Sequence, residues 1–532
     1  MVGLLSGVLL AAWCSVQVLG YQPVVETTYG QVRGYTMNSL KANQFFAFQG
    51  IPYAKPPVGE LRFQAPEPPL AWEGIREATT PGPQCIQTST SLIGVEDCLY
   101  LTVYSPNVTG NAPVLVHFHG GAFLSGDEAG YGPEYLIDEN IVVVKVNYRL
   151  GIYGFLTFET PDLPGNQGMK DQAMALKWVQ ANIARFGGNP NLVTIIGESA
   201  GGASVYNHII SPLSKGLFHR AISESGTSYS QWALAPPGYR RRITEKLMTL
   251  LNCPVTPKEA IPCVSKKEPA EVVSKLGSFS EGWVHLPLHF GPVIEAPGPN
   301  SFIVGLPHEW DHTPVPLFIG TTSAEGLMET ITYLAKNFDF KWFSKNFNEM
   351  APLIYIYNAS ASDPAKITEE LRRYYLPHEE ITIDDFVNLT MAYTDSAFAV
   401  SILDGANKHK GDVYFYYYDY RLPLPPDVDE KYNIGANHCQ ESMLLWNYGT
   451  PLIYPRDEKI AKLSDKFIHI LGNFMRTGVP TIEGSGPIWK KWTPEENHYI
   501  LIDSEGFHLK KGLMEDRYQF WKSLKFRDNY GE

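Results

Sequence analysis

The stretch Val193-Thr194-Ile195-Ile196-Gly197-Glu198-Ser199-Ala200-Gly201-Gly202 decides how the rest of the chain is read. Its first four residues are β-branched and read as a strand. A helix-like stretch follows Ser199. Between them stands Gly197-x-Ser199-x-Gly201. A strand that turns this sharply into a helix holds the central serine in a strained conformation, and large side chains two positions away would clash. Such a turn presents the hydroxyl at the carboxyl end of the strand and aims the N–H groups of the following helix at it. The bare five-residue pattern arises often by chance, so the strand before it and the helix after it carry the weight.

Outward from this turn, strands and helices alternate. Residues 112–119 form a β-type run, and 141–146 are apolar on both faces, as in a central parallel strand. Residues 171–186 have helical spacing. This alternation predicts an α/β sheet covered on both faces. Further on, 268–276, 364–375, 465–476 and 514–524 read as helices. Residues 413–420 read as a strand, and 315–319 as a short strand ending at Gly320. No repeat, low-complexity block or linker divides the chain. At roughly 150 residues per domain its 532 residues suggest several domains, but large α/β enzymes exceed that figure as one unit.

A serine hydroxyl is a weak nucleophile at neutral pH and needs a base, an orienting acid and an oxyanion site. The oxyanion candidate is His119-Gly120-Gly121-Ala122-Phe123, directly after a strand. Its glycines let backbone N–H groups approach a negative oxygen, so Gly120 and Gly121, with the N–H of Ala200, are expected to form a three-donor site.

These segments, with Phe48-Gln-Gly-Ile-Pro-Tyr-Ala54, Glu96-Asp-Cys-Leu-Tyr-Leu101, Asn147-Tyr-Arg-Leu-Gly151, Gly165-Asn-Gln-Gly168 and Asp171-Gln172, resemble the cholinesterase/carboxylesterase family, most of all its secreted insect carboxylesterases. The resemblance covers nearly all of the chain after its first twenty residues. It implies an α/β-hydrolase fold with a large mixed, mostly parallel central sheet, residues 21–532 forming one domain. It also supplies what local physics does not. Fourteen histidines are present, and Gly435-Ala-Asn-His438 matches the family's segment for the base. Glu325, in Gly320-Thr-Thr-Ser-Ala-Glu325-Gly326, matches its acid. Ser225 matches a buried serine beside the triad, and Arg62 with Glu96 matches a structural ion pair. Glu198, preceding the nucleophile, either orients water or a ligand cation or is structural. Cys439-Gln440-Glu441 departs from the family, which often has glycine after the histidine; Cys439 is read as a small buried hydrophobe.

Composition sets the compartment and excludes some partners. Hydrophobic residues are 44% and charged residues 19% of the chain, which excludes a disordered polar polymer. A net charge of −13 disfavours nucleic acid and anionic lipid. Residues 1–20 carry an uncharged apolar run ending in Val18 and Gly20, read as a cleaved secretory signal. Removal of Cys14 leaves five cysteines. Local pairing of Cys85 with Cys98 and Cys253 with Cys263 would leave Cys439 free, although sequence does not fix the connectivity. Asn107, Asn358 and Asn388 begin N-glycosylation sequons. No later apolar run is read as approaching membrane length, so no membrane anchor and a secreted extracellular product are expected; the oligomeric state is open.

The expected reaction is hydrolysis of a small apolar carboxylic ester through an acyl-enzyme, without metal or organic cofactor. Residues 86–94 contain no aromatic side chain, where cholinesterases carry the tryptophan that binds quaternary ammonium, so choline esters are disfavoured. Glu198 stands where juvenile hormone esterases usually carry glutamine. Two other readings are a catalytically slow protein that sequesters or binds esters on the same fold, and a lipase.

Overall fold

The computed structural model describes residues 22–88, 92–279, 289–423, 428–448, 457–481 and 489–526. The segment read as a signal, residues 1–20, lies outside them. Among the described residues eleven strands join in one sheet: β1 (Tyr35–Asn38), β2 (Gln44–Pro52), β3 (Tyr100–Ser105), β4 (Ala112–Phe118), β5 (Val142–Val146), β6 (Gly188–Glu198), β7 (Arg220–Glu224), β8 (Leu317–Thr322), β9 (Val413–Tyr418), β10 (His498–Asp503) and β11 (Gly506–Lys511). Across the sheet they run β11-β10-β9-β8-β7-β6-β4-β5-β3-β2-β1. Pairs from β5 through β4 and β6 to β10 are parallel. The pairs β1–β2, β2–β3, β3–β5 and β10–β11 are antiparallel. The sheet is therefore mixed and mostly parallel, the α/β-hydrolase architecture.

Burial explains why the central strands are apolar throughout. Val114, Val116, Phe118, Val144, Val193 and Ile195 enter one core layer. Leu115, Val143, Ile196, Ile222, Phe318 and Tyr416 enter the other. Helices α1 (Gln167–Asn182) and α2 (Ala200–Ile210) supply the first layer, while α4 (Glu458–Thr477) brings Phe467, Leu471 and Phe474 to the second. Both faces are dry, so alternation with polar residues is lost. Lys145 in β5 is a charged exception. It is fully buried, donates to the Tyr131 carbonyl, pairs with Glu128 at 3.9 Å and lies 5.1 Å from the Tyr104 ring centroid.

Three expectations are corrected. The strand read as ending at Gly320 continues through it to Thr322, because Gly320 lies under the Tyr416 ring, where a Cβ would approach to 2.4 Å. The helix read from 465 begins at Glu458, capped by Asp457, whose Oδ1 accepts from the Ile460 N–H at 2.8 Å. One later segment does reach membrane length: α3 (Ile383–Lys408) is long and apolar enough to span a bilayer, but 72% of its apolar window is buried inside the fold. It is a core helix.

The neighbours of β4 place the site. Chain order reverses there, with β5 on one side and β6 on the other, and open α/β sheets bind ligands outside the carboxyl ends of strands at such a switch point. The loop after β4 begins at His119, and Ser199 follows β6.

Candidate active site

Ser199 joins β6 to α2 with φ 58° and ψ −120°, outside the ordinary regions for a non-glycine residue. The surroundings enforce it. A Cβ at Gly201 would lie 2.0 Å from the Phe118 carbonyl oxygen, and one at Gly197 would lie 2.4 Å from the Gly201 carbonyl carbon. The Ser199 N–H donates to the Glu224 carbonyl at 2.8 Å. Ser199 is partly exposed while Glu198 and Ala200 are buried, so the turn offers the hydroxyl to solvent and little else. Gly201→Ala should therefore cost about 3 kcal/mol of stability, read as a lower urea midpoint at unchanged slope.

The loop after β4 is fixed from several sides. The Tyr148 hydroxyl donates to the His119 carbonyl at 2.7 Å, and the two rings stack with centroids 4.4 Å apart. Burial lowers the His119 pKa to about 4, which keeps the ring neutral. Glu198 organises the other side. Its Oε1 accepts from the Gly120 N–H at 2.7 Å and the Tyr131 hydroxyl at 2.8 Å, and its Oε2 lies 2.9 Å from His117 Nε2. Burial works to raise this carboxyl, but His117 and these donors outweigh it and hold it below the ordinary range.

This corrects one expectation. Gly120 is not free to serve an oxyanion, because its N–H already has Glu198 as acceptor. The N–H groups of Gly121, Ala122 and Ala200 have no acceptor among the described residues. Ala122 has φ 58° and Phe123 φ 59°, so the loop is wound left-handed as it passes the serine. Nothing in the residue type marks Ala122, since its value lies in backbone direction rather than in side chain. Nor did it single out His117 or Tyr131, the partners of Glu198.

Glu325 and His438 meet. Glu325 follows β8 and is fully buried; its Oε2 lies 2.5 Å from His438 Nδ1. Its Oε1 accepts from Ser225 Oγ at 2.5 Å, Thr321 Oγ1 at 2.8 Å and the Thr322 N–H at 2.8 Å. Burial would raise this carboxyl, but the His438 charge and these donors win, and it stays ionised below the ordinary range. Ser225 thus contacts the acid, as the resemblance implied. Among the described residues no hydrogen bond joins the Ser199 hydroxyl to His438; free enzymes commonly hold this contact long. The two are linked through Glu224, Ser225 and Glu325. His438 also packs on Phe398, ring centroids 4.4 Å apart.

A family model described as the carboxylesterase family matches residues 21–521. The chain belongs to the carboxylesterase family. It is a carboxylic ester hydrolase. Esterase FE4 of Myzus persicae is 36% identical over 88% of this chain and 86% of its own. Venom carboxylesterase-6 of Apis mellifera is 33% identical over 99% of this chain and 98% of its own. A juvenile hormone esterase of Tribolium castaneum is 30% identical over 98% of this chain and 97% of its own.

Several carboxylesterase motifs in the chain are architectural. Arg62 reaches Glu96 through Nε at 2.6 Å and also donates to the carbonyls of Ser265 and Lys267, tying three segments together. Arg149 holds Asp171 through Nε at 2.8 Å and Nη2 at 2.7 Å. Disulfides join Cys85 to Cys98 and Cys253 to Cys263, and Cys439 is free and partly exposed, its thiol pushed far up by burial. Asn107 is exposed. Asn358 and Asn388 are half-buried, and the hydroxyl residues of their sequons, Ser360 and Thr390, are buried.

Proposed function

We propose that the protein is a secreted serine carboxylesterase acting through an acyl-enzyme. The observation that carries this is the buried Glu325, held by three donors and aimed at His438. Ser199 attacks the ester carbonyl carbon and His438 takes the hydroxyl proton. Glu325 fixes the imidazole tautomer and stabilises the imidazolium. The N–H groups of Gly121, Ala122 and Ala200 stabilise the oxyanion. The alcohol leaves with the proton from His438, and water attacks the acyl-enzyme by the same route. Glu198 positions the loop rather than reacting. Secretion is supported by the two disulfides and by the apolar leader. Residues 21–532 form the one domain, and Asn107 is the best-presented glycosylation site.

The substrate is a small apolar ester. A π-helical turn in α3, Asp395–Ala399, sets Phe398 against His438. Trp232 stands 5.8 Å from Phe398 and donates its indole N–H to the Ala397 carbonyl at 2.7 Å; Phe123 lies 6.5 Å from Trp232. This aromatic wall beside the base favours a short acyl group over a lipid chain. Phe398→Ala should raise the kcat/KM ratio of hexanoate to acetate esters by about tenfold, in the range a hydrophobic pocket gives per methylene.

Stopped-flow hydrolysis of p-nitrophenyl acetate tests the function. A burst of one phenolate per protein, followed by steady turnover, is expected. A burst with negligible turnover would make the protein an ester-sequestering one. No release from any short or medium acyl ester would contradict the proposal.

A further inference from the structure

The helix α3 carries Phe398 to the ring of His438 on its π-turn, and another helix, α5 (Glu515–Ser523), grips α3 on both sides of that turn. In the turn the Val400 N–H donates to the Asp395 carbonyl, five residues back, so it holds one residue more than an α-turn. Residues nine apart on an unbroken α-helix stand on opposite sides, about 180° from one another. The extra residue in the π-turn brings Asp404 back toward the side of Asp395. A single neighbouring helix can then reach both.

Before the turn, Arg517 Nη1 lies 3.2 Å from Asp395 Oδ1. Trp521 donates its indole N–H to the Tyr375 hydroxyl at 2.7 Å, and that hydroxyl donates to Asp395 Oδ2, also at 2.7 Å. Asp395 is 1% exposed, and a carboxylate buried so deeply depends on such partners. After the turn, the Tyr518 hydroxyl donates to Asp404 Oδ1 at 2.7 Å and accepts from Asn407 Nδ2 at 3.2 Å, while Lys522 Nζ lies 3.3 Å from Asp404 Oδ1. Arg517 with Trp521, and Tyr518 with Lys522, are pairs four residues apart, so two adjoining rows of α5 hold the two arms of α3. Between the arms, the Trp232 indole N–H holds the Ala397 carbonyl and Phe398 rests on His438.

We propose that α5 is a clamp on the π-turn, and that Asp395 and Tyr518 are positioning residues that set the acyl preference of the site through Phe398. This rests on reading Phe398 as the acyl wall beside the base His438. Relaxing the π-turn to an ordinary α-turn rotates one arm of α3 against the other by about 100°, the turn of one residue. That rotation tears either Asp395 from Arg517 and Tyr375 or Asp404 from Tyr518 and Lys522. The register that satisfies both arms is the one that seats Phe398 on His438. Loosening either arm lets the turn relax, swings the phenyl ring off the base and opens room for a longer acyl chain.

The test measures kcat/KM for p-nitrophenyl acetate and hexanoate in wild type, Asp395→Asn and Tyr518→Phe, and in each of these combined with Phe398→Ala. The hexanoate-to-acetate ratio does not depend on how much of the protein is folded, so a merely structural role lowers both rates and leaves the ratio where it was. Asp395→Asn and Tyr518→Phe should each raise the ratio about threefold, part of the tenfold expected of Phe398→Ala. On top of Phe398→Ala neither should raise it further, because the ring through which they act is gone. Should Asp395→Asn not fold, Tyr375→Phe, which removes one hydroxyl from the same arm, takes its place with the same expectation. An unmoved ratio in the folded single variants, or a further threefold rise on top of Phe398→Ala, would overturn the clamp. A ratio unmoved by Phe398→Ala itself would instead overturn the acyl-wall reading, and the clamp with it.

Discussion

A Ser199→Ala protein should fold normally and lose ester hydrolysis by a factor on the order of 10⁶ in kcat. The two halves of this expectation come from different observations. The strained backbone at φ 58° is imposed by Gly197, Gly201 and the Phe118 carbonyl, not by the hydroxyl. Alanine keeps the same Cβ and the same N–H bond to Glu224. The hydroxyl is not hydrogen-bonded to His438, so removing it leaves the Glu325–His438 couple intact. The thermal midpoint should stay within about 2 °C of wild type, a surface-like effect. Activity should fall to what the oxyanion donors and binding alone provide. Residual kcat above about one hundredth of wild type, in protein free of contaminating esterase, would mean that another group is the nucleophile.

Glu325→Gln should cost about 10⁴ in kcat at neutral pH, as expected when the acid of a triad is made neutral with its shape retained. The geometry states why no rotamer rescues it. Oε1 accepts from Ser225, Thr321 and the Thr322 N–H, and Oε2 faces His438 Nδ1. If the amide NH₂ replaces Oε1, it confronts three donors. If it replaces Oε2, it donates to Nδ1, forces the proton onto Nε2, and removes the lone pair that must accept from Ser199. Either way the charge that stabilises the imidazolium is lost. The pH profile separates this from damage to the fold: activity should recover in part at high pH, where hydroxide replaces the base, while the melting midpoint falls only modestly. Loss of less than tenfold would remove Glu325 from the catalytic couple.

Much of the fold was legible because the central strands are buried on both faces. The strands β4 and β5, and the helix after Ser199, announce themselves by apolar runs and small residues. The site was legible where chemistry constrains backbone: Gly197 and Gly201 are needed by the turn and stand in the sequence. His438 and Glu325 were visible only through resemblance, since nothing local distinguishes one loop carboxylate or histidine from another. The oxyanion loop was misread by one residue. A pair of glycines marks where backbone comes close, but which N–H points free depends on Glu198, which reaches back from the end of β6 to occupy Gly120. Long-range partners of that kind leave no periodic trace. The length of α3 was missed for a related reason: its π-helical turn at Asp395–Ala399 breaks the 3.6-residue rhythm.

The most direct measurement is active-site labelling of the purified protein with a fluorophosphonate, the adduct being located by mass spectrometry. A fluorophosphonate reacts with an activated serine, so it reports the assembled couple and not merely the presence of a hydroxyl. Stoichiometric label on Ser199, abolished in His438→Ala protein of unchanged fold, is the result expected. Folded wild-type protein that takes up no label, or takes it up at another residue, would contradict the assignment of Ser199 as the nucleophile.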